Sequence, residues 1–176
     1  MDSKILIIGF EKENEIMYPH LQSFINCLSA HYIVKYKYFY NEFIPYLTNN
    51  VQPNDILIHL GNFLHKTKTI DLTVLKFIQN LFEKISEILP VYILEGENDN
   101  LGLNILKNFN IQIIKEPKEV ELLLDQRFAM LPYNTKVEDI NNLDSDYCFL
   151  NFDYLNSPKK DIIISKLKKF KKCYNG

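Results

Sequence analysis

Three short apolar runs between Lys4 and Leu94 each lead to a glycine. Lys4–Ile8, with its run Ile5-Leu6-Ile7-Ile8, meets Gly9; Asp55–His59 leads to Gly61; Val91–Leu94 leads to Gly96. Continuous apolar runs this short predict strands buried on both faces, as in a parallel sheet. Between them the period changes. Val74, Ile78, Leu81, Ile85 and Ile88 step by four and three, which is one helix face, and Pro90 ends it. Met17, Leu21, Phe24, Ile25 and Leu28 predict an earlier helix, with Pro19 in its first turn. Ile33–Tyr40, rich in Tyr, Val and Phe, predicts a strand, and Phe43–Leu47 a short helix.

The second half continues the alternation. Leu101–Asn108 predicts a helix, Ile111–Ile114 a fourth strand, and Glu119–Leu124 with Arg127–Leu131 a hairpin. Val137–Asn142 predicts a short helix, Tyr147–Leu150 a strand, and Asp161–Lys172 a lysine-rich final helix or strand. Together these predict one α/β domain over residues 1–176, with a mostly parallel sheet flanked by helices. Binding groups in such sheets collect at the carboxyl ends of the strands, where Gly9, Gly61, Gly96 and Asn151 fall.

Composition narrows the classes of function without choosing among them. The 176 residues are 47% hydrophobic and 24% charged, which is ordinary for a globular domain. A net charge of −2 gives no whole-chain attraction to nucleic acid or to a membrane. Cys27, Cys148 and Cys173 are odd in number and form no C-x-x-C, which fits free thiols in a reducing compartment better than a disulfide framework or a zinc site. The first apolar run is too short for a signal-peptide core, and none approaches the ~20 residues of a membrane span. The expectation is a cytoplasmic protein, in host cytoplasm or virion if viral. The skew toward Ile, Asn, Lys and Tyr fits an AT-rich genome, so the many asparagines carry no functional message of their own.

Four segments at the strand ends stand in a telling order. His59-Leu60-Gly61-Asn62-Phe63-Leu64-His65-Lys66 precedes the long helix, and Val91-Tyr92-Ile93-Leu94-Glu95-Gly96-Glu97-Asn98-Asp99-Asn100 follows it. Phe128-Ala129-Met130-Leu131-Pro132-Tyr133 and Tyr147-Cys148-Phe149-Leu150-Asn151 come later. In this order they resemble the motif blocks of calcineurin-like metallophosphoesterases. The first resembles the Gly-Asp block, and the second stands where that family writes Gly-Asn-His-Asp. The third resembles the Pro-Trp or Pro-Tyr strand end of SbcD-type recombination nucleases, phage versions included. The fourth takes the place of the strand that delivers a metal-binding histidine. The resemblance runs from Asp55 to Leu155 and includes the first strand, while Ile33–Leu47 is an insertion relative to the phage pattern.

The resemblance implies a layered metallophosphoesterase fold and a centre of two divalent ions, which would polarise a phosphate and generate hydroxide. It also implies the ligand positions, and at each of them this sequence departs from the family. Phe10 and Lys12 align with the aspartate and histidine of the first block; a phenyl ring cannot coordinate, and an ammonium repels a cation. Asn62 stands for the bridging carboxylate. Glu97 and Asn98 stand for the asparagine and the histidine of the third block, while Asp99 keeps its identity in a position that orients its neighbours. Asn151 replaces the next histidine. The final Gly-His-x-His block would begin near Tyr174-Asn175-Gly176, so the fold is expected to be truncated at its C-terminus. Divalent ions need carboxylate and imidazole donors. The expectation is therefore no catalytic residues, no metal ligands and no cofactor, with Mn or Zn as the alternative.

Other features divide between function and packing. Lys12 beside Glu97 and Asn62 would make a charge pair, or a phosphate pocket with strand-end N–H groups. His59 and His65 bracket the Gly-Asn turn and are expected to be structural and surface-exposed, respectively; His20 and His31 have no assigned role. Glu11, Glu13 and Glu15 are expected in an exposed loop, and Glu116–Asp125 in a solvated hairpin. Tyr36, Tyr38 and Tyr40 alternate along the predicted strand, as core or as an interface. Lys159, Lys160, Lys166, Lys168, Lys169, Lys171 and Lys172, with Phe170 and Tyr174, form a basic run. A solvated amphipathic face explains it, and nucleic-acid contact through Lys168, Lys169, Lys171 and Lys172 is the functional alternative.

The function expected is a non-catalytic binding or scaffold module whose partners are other proteins of a larger assembly, phage-like in context, and not a membrane. One alternative is an active metal-dependent phosphoesterase or nuclease with ligands reassigned among Glu11, Glu97, Asp99, His65 and Asp153. Another is a nucleic-acid-binding subunit that keeps a nuclease groove without cleavage.

Overall fold

Residues 5–8, 39–61, 72–97, 99, 103–106, 110–122, 126–151 and 158–175 are described by a computed structural model of the chain. The predicted helix around Met17–Leu28 lies outside them, as do Tyr36, Tyr38 and Cys27.

The apolar runs form the expected strands. β1 (Ile5–Ile8), β2 (Ile56–His59), β3 (Val91–Leu94) and β4 (Ile111–Ile114) make a sheet in that order. All three pairings are parallel. Between β1 and β2, a wide helical turn at Phe39–Phe43 runs into α1 (Ile44–Asn50). Between β2 and β3 runs α2 (Leu72–Ile88). Phe77, Ile78, Leu81, Phe82 and Ile85 of α2 are buried. Each such side chain contributes about 1.5–3 kcal/mol of hydrophobic burial. Beyond the helix, Pro90 gives its carbonyl to the Leu57 N–H at 2.9 Å and starts the next strand.

Phe39 and Tyr40 correct the sequence expectation of a strand at Ile33–Tyr40. They lie in the helical turn, because Phe39 and Phe43 are four residues apart and meet edge to face at 5.8 Å, with Phe77 5.8 Å from Phe39. Tyr40 is half-buried against Phe77 at 6.4 Å. Helical geometry gathers Phe39, Tyr40 and Phe43 into one cluster, where strand alternation would have turned Tyr40 away from the two phenylalanines.

A second sheet also corrects the expectation, which was of one. β5 (Lys118–Glu121), β6 (Arg127–Leu131), β7 (Tyr147–Leu150) and β8 (Lys172–Asn175) lie in that order, with β5 antiparallel to β6 and the other pairs parallel. The β5–β6 hairpin stands where it was expected. The predicted short helix at Val137–Asn142 is a 3-10 turn over Asp139–Asn142. Of Leu101–Asn108, the described part is a 3-10 turn at Leu103–Ile105. The lysine-rich end is both helix and strand: α3 (Lys160–Leu167), a turn, then β8.

Strand alternation sorts the core into layers. Leu57, Val91 and Ile93 pack with α1 and α2 on one face of the first sheet. Ile56, Ile58, Leu60, Leu94 and Ile114 on its other face meet Phe128, Met130 and Phe149 of the second sheet. Ala129, Leu131, Cys148 and Leu150 turn the opposite way and pack on Ile140, Ile163, Leu167 and Phe170. The order is helices, sheet, sheet, helix. Both sheets are covered twice, which is why so many of their strands read as unbroken apolar runs. Among the described residues, no helix is long and apolar enough to cross a membrane.

Candidate functional site

β2, β3, β6 and β7 deliver their carboxyl ends to one place, where two links hold the sheets together. The Tyr133 N–H, past the end of β6, donates to the Glu95 carbonyl past β3 at 2.9 Å. The Asn151 side-chain amide, past β7, donates through Nδ2 to the Leu60 carbonyl past β2. Asn151 is buried, and its own N–H donates to the Leu131 carbonyl at 2.8 Å.

Gly61 fits into this junction with φ +85°, a conformation that side chains resist. A Cβ there would stand 2.6 Å from Asn151 Nδ2, 2.7 Å from the Leu94 carbonyl oxygen and 3.0 Å from the Gly96 nitrogen. The glycine is required by space as well as by dihedral angle. Its N–H donates to His59 Nδ1 at 3.0 Å, so that nitrogen carries no proton. Burial against sheet and helix, with Phe82 edge-on at 6.0 Å, holds His59 neutral; desolvation pushes its pKa down to about 3.

On the neighbouring loop, Asp99 Oδ2 accepts the Gly96 N–H at 2.9 Å, and the Asp99 N–H returns to the Gly96 carbonyl at 3.2 Å. The Asp99 carbonyl then accepts the Leu103 N–H at 3.1 Å and starts the 3-10 turn. Asp99 is fully buried and shapes the loop, while Glu97 is exposed.

Of the seven positions that the resemblance singles out, Glu97, Asp99 and Asn151 are described; Asp99 and Asn151 flank the close approach of Gly61 to Gly96. Phe10, Lys12, Asn62 and Asn98 lie outside the described residues, as do Glu11, Glu13, Glu15, His20, His31, His65 and Asp153. Sequence reasoning missed the Leu60 carbonyl and the Glu95–Tyr133 link, since main-chain partners leave no residue signature. His59 is the structural histidine that was expected, with the Gly61 N–H as the partner the sequence did not name. A histidine closing an apolar strand two residues before a positive-φ glycine was the available signal.

Three polar side chains at this junction are each committed to the main chain. The Asn151 amide spends Nδ2 on a carbonyl, Asp99 Oδ2 is held by a main-chain N–H, and His59 Nδ1 by another. Among the described residues, no three His, Cys, Asp or Glu side chains group closely enough to hold a metal.

The basic run is largely tied to its own chain. Lys166 Nζ donates to the Val137 carbonyl at 3.0 Å and to Asn141 Oδ1 at 2.6 Å. Lys169 Nζ donates to the carbonyls of Ile140 and Leu143 and stands 5.2 Å from the Phe170 ring centre. Lys171 pairs with Asp146 at 2.8 Å, and this carboxylate raises the lysine's pKa. Lys172 lies 4.9 Å from the centre of the Tyr174 ring. Lys168 is exposed at the end of α3. Three of these ammonium groups fasten the 137–146 segment to α3 and to the turn between α3 and β8.

No family model matches the chain, and no curated protein matches it in sequence.

Proposed function

We propose that this chain is a non-catalytic metallophosphoesterase-like module that binds other proteins or acts as a scaffold within a larger assembly, of the kind a phage encodes. The four-layer order of helices, sheet, sheet and helix agrees with the layered fold that the sequence motifs resemble, and we assign the chain to that architecture. One observation carries the functional reading: at the strand ends, where the family assembles its metal ligands, Asn151 closes on the Leu60 carbonyl and Gly61 packs against it. The junction is used to hold two sheets together. An amide donating to a carbonyl is a structural contact, and neither it nor Phe10 or Lys12 supplies what a divalent ion needs. A fold keeps its core when its chemistry is lost, because burial and strand pairing do not depend on the site.

The test is calorimetric titration of the full chain with Mn²⁺ and with Zn²⁺, followed by a generic phosphodiester assay with each metal. The expected result is no saturable binding and no turnover above the metal alone. Two bound ions per chain together with diester cleavage that Asp99→Asn abolishes would sink the proposal and favour reassigned ligands.

A further inference from the structure

The fold brings together two cysteines that lie far apart in the sequence. Cys148 of β7 and Cys173 of β8 are directly opposite each other in the parallel register. Both side chains turn to the same face, toward α3, in the cluster containing Leu150, Ile163, Leu167 and Phe170. Neighbouring strands stand ~4.8 Å apart, which falls inside the ~4.4–6.8 Å between Cα atoms that a disulfide spans. Both cysteines are free thiols in this structure.

Their surroundings differ in a way that gives each a separate part. Cys148 is fully buried, whereas Cys173 is only half-buried and its Sγ donates to the Leu167 carbonyl at 3.8 Å. Burial pushes the Cys148 thiol up, and hydrogen bonding with Cys148 holds the Cys173 thiol below its ordinary value. The less buried cysteine is thus the one more readily ionised, and thiolate character with access makes a cysteine reactive.

We infer that Cys148 and Cys173 form a redox-modified pair in which a hydroperoxide closes a reversible disulfide between β7 and β8. The Cys173 thiolate attacks one peroxide oxygen; the S–O bond forms, the O–O bond breaks, and the departing hydroxide takes up a proton as water. The Cys148 sulfur then attacks the Cys173 sulfenic sulfur. The S–S bond forms, the S–O bond breaks, and hydroxide leaves with the Cys148 proton as a second water. Two thiols are oxidised while one hydrogen peroxide is reduced to two waters, and a dithiol reductant reverses the change by exchange. The bond staples the last described strand to the strand that leads into Asn151. It is the transient kind of disulfide that occurs in reducing compartments.

The test treats the reduced full chain with hydrogen peroxide, traps free thiols by alkylation and maps the peptides by mass. The expected product is a peptide pair joined through Cys148 and Cys173, lighter by two hydrogens and released by dithiothreitol. Its formation should survive Cys27→Ser, and oxidation should raise the thermal midpoint. In Cys173→Ser, at a half-exposed position, Cys148 should stay reduced under the same treatment. Sulfinic acid on Cys173 with Cys148 still free would overturn the inference. So would a bond that uses Cys27, a bond between two chains, or a wild-type chain that emerges unmodified.

Discussion

Asn151 donates its side-chain N–H to the main-chain carbonyl of Leu60, joining the end of β7 in one sheet to the end of β2 in the other. The Glu95–Tyr133 main-chain bond makes a second link beside it. Apolar packing between sheets is non-directional and tolerates sliding, whereas a buried hydrogen bond does not. These two contacts therefore fix where the strand ends stand relative to each other. Gly61 lies inside the junction, so its geometry depends on them and they depend on its lack of a side chain.

Gly61→Ala is expected to destabilise the chain severely. The positive φ alone costs about 1–3 kcal/mol for a residue with a Cβ. The new methyl would also press on Asn151 and on the main chain of Leu94 and Gly96. Main chain cannot swing aside as a flexible side chain does, and overpacking of this kind adds ~1–3 kcal/mol. Urea unfolding should give a lower midpoint with an unchanged slope; a loss under about 1 kcal/mol would contradict this account.

Asn151→Ala leaves the Leu60 carbonyl without its side-chain donor, at a cost of about 1–3 kcal/mol. Asn151→Asp tests the same contact by charge. An ionised carboxylate would face a carbonyl oxygen, so its proton is held more tightly in the folded chain than in the unfolded one. The folded pKa of the introduced group lies above its unfolded value, and stability is lost as pH rises between the two. The aspartate variant should be weaker than the alanine variant at neutral pH and should close the gap on acidification. Parallel pH dependences for the two variants would show that the side chain does not make this bond.

How far the sequence carried this picture depends on what each residue encodes. Ile56, Leu57 and Ile58 announced a strand buried on both sides, and they are buried on both sides. Nothing in that run says that one side meets helices and the other a second sheet, so a single sheet was expected. Ile163, Leu167 and Phe170 keep helical spacing beyond the end of α3, which hid the turn at Lys168–Phe170 and the strand after it. With β8 unforeseen, Cys148 and Cys173 had no reason to be neighbours. The Leu60 carbonyl was invisible for a simpler reason: every residue has one.

Lys169 should behave as a structural residue. Its ammonium donates to the carbonyls of Ile140 and Leu143 at the end of a 3-10 turn, where the Ile140 carbonyl also accepts the Leu143 N–H at 3.4 Å. Lys169→Ala is expected to cost about 1 kcal/mol and to speed amide exchange across the 137–146 segment. Lys168→Ala, one position earlier and exposed, should leave both unchanged. Equal effects from the two substitutions would mean that charge alone, not the carbonyl contacts, is what the segment responds to.

His59 makes the folded chain sensitive to acid. Its Nδ1 accepts the Gly61 N–H, and burial depresses its pKa from 6.5 to about 3. The unfolded chain takes up a proton near pH 6.5 that the folded chain refuses, so protons favour unfolding. The sign follows: this contribution is constant above pH 6.5, and stability then falls as pH drops from there toward about 3. At pH 5 the loss from this one group is ~2 kcal/mol, since each pKa unit is worth ~1.4 kcal/mol. His59→Gln would retain an acceptor for Gly61 without the titration, so its stability should decline less over that interval despite a lower starting value. Urea midpoints for wild type and variant between about pH 7 and about pH 5, which cover the acid side of the free histidine titration, decide the matter. Lines that run parallel would assign the acid sensitivity to other groups and leave His59 as packing alone.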